Sequence, residues 1–241
     1  MKKPIVEFKN VSYVKDGITL LDELNLEVFE GQIIGFIGPS GAGKTTTINA
    51  ILDPSLITTG DVFVFGKNNK NITREDKKEI SYITQDPNLV ESDDVFTNVL
   101  RLYRKYKNPF ANFFNYINKE ERERLYAILK SLNIQEKTFV PVKKLSGGQK
   151  QRISIAVALF ENSKIILADE PVSNLDIHNA EIVLEDFRLF TNENKAVILA
   201  LHDLELAKRY CDKLIVFVDG HIAKVIEQKD FNKENFYEFF K

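Results

Sequence analysis

Gly38-Pro39-Ser40-Gly41-Ala42-Gly43-Lys44-Thr45-Thr46 is the stretch whose reading decides the fold. An apolar run, Ile33-Ile34-Gly35-Phe36-Ile37, leads directly into it, and Thr46 to Leu52 follows with no helix breaker. A glycine-rich turn between a buried strand and a helix is the context that gives the pattern G-x-x-x-x-G-K-T its meaning. Gly38, Gly41 and Gly43 permit turns that a Cβ would obstruct and let the backbone approach a phosphate closely. Successive N–H groups then point inward as an anion nest at the positive end of a helix. Lys44 adds a full charge for the β- and γ-phosphates of a nucleotide, and the Thr45 hydroxyl can hold Mg²⁺. A chance glycine-rich turn is the plain alternative, and the flanking strand and helix weigh against it.

The rest of the chain must accommodate this loop. Its 241 residues allow one or two domains with a sizeable core, and 44% hydrophobic with 28% charged residues is ordinary for a globular protein. A formal net charge of −2 gives no bulk attraction to nucleic acid or to an anionic membrane. Cys211 is the single cysteine, so no intrachain disulfide forms and a reducing compartment is expected. It follows the helix-like run Leu204 to Tyr210 and reads as a small buried hydrophobe. No apolar run approaches the length of a membrane span. The opening MKKPIVEFKN has two lysines but no apolar segment after them, so no signal peptide is expected.

Ile5, Phe8 and Val11 alternate with polar neighbours, as do Leu24, Leu26 and Val28, with a turn at Lys15-Asp16-Gly17 between them. Asp61 to Phe65 and Ile80 to Thr84 read as further short strands. From about Asp86 to Ser163 the period changes. Val95 to Tyr106, Lys119 to Leu132 and Gly147 to Phe160 read as helices, a helical insertion within an α/β core. The core resumes at Ile165 to Ala168, a continuous apolar run typical of a buried parallel strand. Helix at Ala180 to Thr191, strand at Ala196 to Leu201 and helix at Asp203 to Cys211 follow. Leu214 to Val218 and His221 to Ile226 form a hairpin around Asp219-Gly220, and Phe231 to Phe240 reads as a terminal helix.

Leu145-Ser146-Gly147-Gly148-Gln149, continuing as Lys-Gln-Arg to position 152, opens a helix with a serine hydroxyl and free N–H groups at its positive end. That is a second anion site, and one nucleotide needs only one phosphate loop. The geometry it suggests is a shared site, with the loop of one copy facing the serine-glycine turn of another. A simple helix N-cap at Ser146 is the alternative if the motif stood alone. It does not stand alone. Asp169, at the tip of a buried strand, suits Mg²⁺ directly or through water. Glu170, one residue on, is placed to polarise a water against a γ-phosphate. Ser173, Asn174, Leu175 and Asp176 make a tight polar turn. His202 stands at the C-terminal end of its strand, where open parallel sheets bind ligands; a buried neutral histidine is the bland reading.

Together these motifs resemble the ATP-binding subunit of an ABC transporter over essentially the whole length. Residues 38–46 resemble the Walker A motif, Gln85 the Q-loop glutamine, 145–149 the signature motif and 165–169 Walker B. Glu170 resembles the catalytic glutamate, Ser173 to Asp176 the D-loop and His202 the switch histidine. The resemblance implies an α/β fold. Its P-loop NTPase (RecA-like) core, residues 1–85 and 164–241, would carry an antiparallel β subdomain, with residues 86–163 inserted as a helical subdomain in a single domain. It implies ATP and Mg²⁺ as cofactors, with Thr45, Gln85 and Asp169 at the metal. It also implies membrane permease subunits as partners, and a second copy or a related ATPase subunit across the nucleotide. An extracellular substrate-binding protein, no nucleic acid, and a place on the cytoplasmic face of the cell membrane complete the expectation.

The family stacks adenine on an aromatic side chain of the first hairpin. Tyr13 is the candidate for that stacking, although the usual aromatic position, two residues on, holds Lys15; simple strand packing is the alternative. Phe110 to Ile134, Val197 to Val218 and the run ADEPVSNLD (168–176) look most like phosphonate-type importers, which implies uptake of a small anionic organophosphorus nutrient or of a phosphorylated vitamin. Phe110, Phe113, Phe114 and Tyr116, with Leu89 and Phe96, either pack the insertion or line a groove for a permease helix. Competing readings are an exporter ATPase, a non-transport ABC ATPase acting on nucleic acid or ribosomes, and a module that holds ATP without turnover. One copy of each motif, about 100 residues between Lys44 and Ser146, and intact Lys44, Asp169, Glu170 and His202 favour a transport ATPase.

Overall fold

The computed structural model describes residues 3–84, 88–106, 116–191 and 195–239. Alternating apolar side chains build a four-stranded antiparallel sheet from β1 (Val6–Lys15), β2 (Ile18–Val28), β4 (Thr59–Val64) and β5 (Lys67–Asn68), in the order β2-β1-β4-β5. The second sheet has six strands in the order β10-β9-β3-β8-β7-β6. They are β3 (Ile33–Ile37), β6 (Ile80–Ile83), β7 (Ile165–Asp169), β8 (Ala196–Ala200), β9 (Lys213–Val218) and β10 (His221–Glu227). All pair in parallel except β10, which returns on β9 through the Asp219-Gly220 turn.

The six-stranded sheet is buried on both faces, so its inner strands are continuous apolar runs. Ile33, Ile37, Ile166, Ala168, Val197 and Leu199 point to one core. The intervening Ile34, Phe36, Ile165, Leu167, Ile198 and Ala200 point to the other, which they share with the antiparallel sheet. α1 (Lys44–Leu52) packs in the second core. α3 (Val95–Leu102), α4 (Lys119–Ser131), α5 (Gly147–Glu161), α6 (Ile177–Thr191) and α7 (Leu204–Tyr210) pack in the first; α2 (Arg74–Lys78) precedes β6. Cys211 is fully buried there, as expected. No described helix is long and apolar enough to cross a membrane.

Beyond α6, which starts at Ile177 rather than Ala180, two helices differ from expectation. α3 ends at Leu102 rather than Tyr106, because Tyr103 turns extended and Arg104 leaves the helix for a buried carboxylate. Glu161 receives Arg104 Nε and one terminal nitrogen, each at 2.6 Å, and the Ser81 hydroxyl at 2.6 Å. Burying that carboxylate without partners would cost more than one helical turn supplies. The terminal segment forms two short 3₁₀ turns, Gln228–Lys233 and Phe236–Phe239, instead of one α-helix. Phe231 and Phe236 are both buried. Five residues apart, they would face about 140° away from each other on an α-helix, and the extended Glu234 between them lets both point inward.

Candidate functional site

Parallel pairing brings the candidate residues to one edge. Ala200 of β8 pairs with Phe36 of β3 on one side and Asp169 of β7 on the other, so the three strands end at one level. The phosphate loop continues from β3, Glu170 from β7 and His202 from β8, all at the carboxyl ends where open α/β sheets bind ligands.

The loop adopts the shape its glycines allow. Gly38, Gly41 and Gly43 have φ of 148°, 82° and 103°. At Gly38 a Cβ would lie 2.3 Å from the Phe217 carbonyl oxygen, so only glycine fits. Behind the loop the Gly220 N–H donates to the Ala42 carbonyl at 3.2 Å, which braces it against the β9–β10 turn. α1 starts at Lys44 with neither a side-chain cap nor an acid in its first turn, leaving the positive helix end open to an anion. Lys44 is only 5% exposed, and its Nζ donates to the Gly38 and Pro39 carbonyls at 2.7 and 2.8 Å. An ammonium has three donors, so one stays uncommitted. Burial lowers the Lys44 pKa, opposed by the charges of Glu170 and Asp169. Ser40, Ala42 and Thr46 complete the loop and the first turn.

Across the loop, Thr45 Oγ1 donates to Asp169 Oδ1 at 3.0 Å. Burial raises the Asp169 pKa, partly offset by this hydrogen bond. A hydroxyl beside one carboxylate is a hard-oxygen pair of the kind that suits Mg²⁺. No group of three or more His, Cys, Asp or Glu gathers into a metal site among the described residues. Gln85, the third expected metal ligand, lies outside the described residues.

Glu170 is held with φ 51°, a left-handed conformation costing about 1–2 kcal/mol for a side-chain-bearing residue. Its N–H donates to Ala200 O at 3.2 Å. Its Oε1 lies 2.5 Å from His202 Nε2. The Ser173 hydroxyl donates to the Glu170 carbonyl at 3.0 Å, so the turn Ser173 to Asp176 is tied directly to the carboxylate's backbone. Asp176 accepts from Asn179 N–H at 2.9 Å and starts α6; those Asn179 contacts hold its carboxyl below the ordinary range.

Leu145 is buried and precedes the turn that opens α5. Ser146 and Gln149 form a reciprocal capping box: Gln149 N–H donates to Ser146 Oγ, and Ser146 N–H to Gln149 Oε1. The N-cap alternative is thus real, yet the serine proton remains free to donate. Gly147 is exposed. Gly148 lies against the Asn174 carbonyl, where a Cβ would come within 3.0 Å. The serine-glycine turn therefore touches the Ser173–Asp176 turn, but among the described residues no hydrogen bond joins it to the phosphate loop.

Tyr13 pairs with Leu21 and packs, half-buried, against the core of the antiparallel sheet. Leu89 and Phe96 are partly buried against the other core; Phe110, Phe113 and Phe114 lie outside the described residues. Sequence reasoning missed Tyr82 and Asn49. Burial, with Asp169's charge, pushes the Tyr82 phenol up to about 12, partly offset by Asn49. A lone tyrosine in a short strand carries no signal of such a role.

A phosphate loop, a threonine–aspartate pair and a glutamate–histidine pair on a parallel sheet define a P-loop nucleoside triphosphatase. Residues 21–173 match the family model described as ABC transporter, and the chain belongs to that family as an ATP-binding, ATP-hydrolysing subunit. It is 35% identical over 98% of its length to the phosphonates import ATP-binding protein PhnC of Mesoplasma florum, of which it covers 99%. It is 34% identical over 95% of its length to a probable ABC transporter ATP-binding protein p29 of Mycoplasma pneumoniae, covering 93% of it. Among solved structures it matches an ATP-binding cassette in a dimeric post-hydrolysis state bound to ADP and Pi. The TM-score is 0.78 and the identity 28%, covering 92% of this chain and 98% of that one.

Proposed function

We propose that this subunit powers import of a phosphonate or related organophosphorus anion, by MgATP hydrolysis at two sites shared between copies. The convergence of Lys44, Thr45, Asp169, Glu170 and His202 on one sheet edge carries the reading. In this reading residues 38–46 bind the triphosphate, with Lys44 re-aimed from the loop carbonyls to the β- and γ-phosphates. Thr45, Asp169 and Gln85 would hold Mg²⁺, which would supply positive charge against the phosphates. Glu170 takes the proton of the attacking water, and His202 orients that carboxylate. Residues 145–149 of a second copy or of a related subunit close on the γ-phosphate, and the turn Ser173 to Asp176 links signature and Glu170. Tyr13 supports the adenine.

The organophosphorus cargo is supported by the names of relatives such as the M. florum protein. Helices α3 to α5 of the expected insertion would meet a membrane permease, which would keep the subunit on the cytoplasmic face of the membrane. A cavity of about 260 Å³ lined by Tyr82, Asn88, Leu102 and Val157 is the proposed seat of a permease helix. An extracellular substrate-binding protein would supply the cargo. The test is capture of the tagged subunit with its permease from detergent extracts, followed by uptake of labelled methylphosphonate into proteoliposomes holding both and a binding protein. ATP-dependent uptake is expected. A captured permease that carries no phosphonate would refute the cargo alone, whereas no captured permease would refute the transport role.

A further inference from the structure

Beside the proposed permease groove lies a second cavity, of about 300 Å³, at the low end of the range for small-ligand sites. Among the described residues its lining is Arg74, Lys77 and Lys78 of α2 with Arg101, Tyr103 and Arg104 at the end of α3. Five of these six are cations and none is an acid. We propose that this cavity binds a tetrahedral oxyanion of the phosphoryl or phosphonyl class, gripped by Arg74 and Lys77 against the fixed guanidinium of Arg104.

Charge balance and pre-organisation favour such a ligand. Arg104 is neutralised by buried Glu161 at 2.6 Å and pinned by the Ile80 carbonyl at 2.8 Å, so it forms a wall that needs no ordering. Lys78 pairs with Glu75 at 2.9 Å and Arg101 with Asp93 at 2.5 Å. Both pairs are largely exposed at one partner, and such contacts exchange easily. Arg74 and Lys77 have no ion pair among the described residues; Lys77 only feels Asp53 from a distance. Two cations in excess at a concave, partly walled site match the charge of a phosphate or phosphonate dianion, and charge-assisted hydrogen bonds to such oxygens are the strong kind. A lipid headgroup phosphate and a free anion present the same group. The inference does not rest on the transport reading.

The test uses amide NMR on the full chain with MgADP saturating the phosphate loop. Inorganic phosphate and methylphosphonate are titrated at constant ionic strength against chloride. Saturable shifts centred on residues 74–78 and 101–104, absent with chloride and weakened at least about tenfold in R74Q/K77Q, are expected for a free anion. In parallel, flotation with phosphatidylglycerol and phosphatidylcholine vesicles tests the headgroup. Retention on the anionic vesicles alone, lost in R74Q/K77Q, supports the site with lipid as its source. Shifts reproduced by chloride, shifts and retention both untouched by the substitutions, or no response in either arm overturns the proposal. Both side chains are exposed, so R74Q/K77Q should melt like the wild type; if it does not, K77A alone replaces it, and the wild-type titration still decides.

Discussion

His202 Nε2 lies 2.5 Å from Glu170 Oε1, joining the ends of two strands that are neighbours in the sheet but 32 residues apart in sequence. The imidazole thus fixes the orientation of a carboxylate whose backbone is already held in a left-handed turn. Glu170→Gln preserves shape and should bind MgATP normally while losing hydrolysis by roughly 10²–10⁴-fold, the scale for a positioned general base. His202→Ala should lower turnover while leaving ATP affinity within about threefold, since it acts through Glu170. Steady-state ATPase and nucleotide titration check both; near-normal turnover in E170Q would remove the glutamate from this role.

Lys44→Ala deletes the one side-chain cation inside the loop. A charge-assisted contact to phosphate contributes about 1.5–3 kcal/mol, so ATP affinity should fall roughly tenfold to a hundredfold. Calorimetric titration with ATP reads this directly, and an unchanged dissociation constant would mean the loop does not hold phosphate.

Gly38→Ala places a Cβ 2.3 Å from the Phe217 carbonyl oxygen at φ 148°. Backbone strain of this kind costs about 1–3 kcal/mol before the overlap is counted. The expected outcome is a lower melting temperature together with weakened ATP binding. A variant as stable as the parent would show that β9 yields at no cost.

Cys211 reports on folding. It is fully buried, and burial pushes its thiol well above the usual range. The fold favours the neutral thiol, so its contribution to stability is complete below the ordinary thiol value of 9.0 and declines as pH rises past it. In native protein at pH 8, labelling by a thiol reagent should follow the unfolding rate and show no fast phase. A burst of labelling would contradict the burial.

Much of the architecture was legible because two periods carry it. Ile165 to Ala168 and Ala196 to Leu201 are uninterrupted apolar runs, and only a strand buried on both faces needs them. The glycines of residues 38–43 and the Ser146-Gly147-Gly148 turn announce anion sites through the backbone shapes that glycine permits. What stayed hidden depended on distant partners. Nothing local reveals that Arg104 ends a helix to reach Glu161, 57 residues on, or that Tyr82 comes near enough to Asp169 to feel its charge. The broken terminal segment was equally silent, since it exists to bury Phe231 and Phe236 together.

In the proposed mechanism the phosphate loop of one copy and the Ser146 turn of another share each ATP. Dimerisation should then rise steeply with nucleotide, because two sites close at once. Light scattering on Glu170→Gln with MgATP, with and without Ser146→Arg, measures this most directly. The account predicts a dimer for E170Q and a monomer of nearly normal ATP affinity for E170Q/S146R, whose bulky cation sits at the signature turn. Equal dimerisation of the two proteins would contradict it.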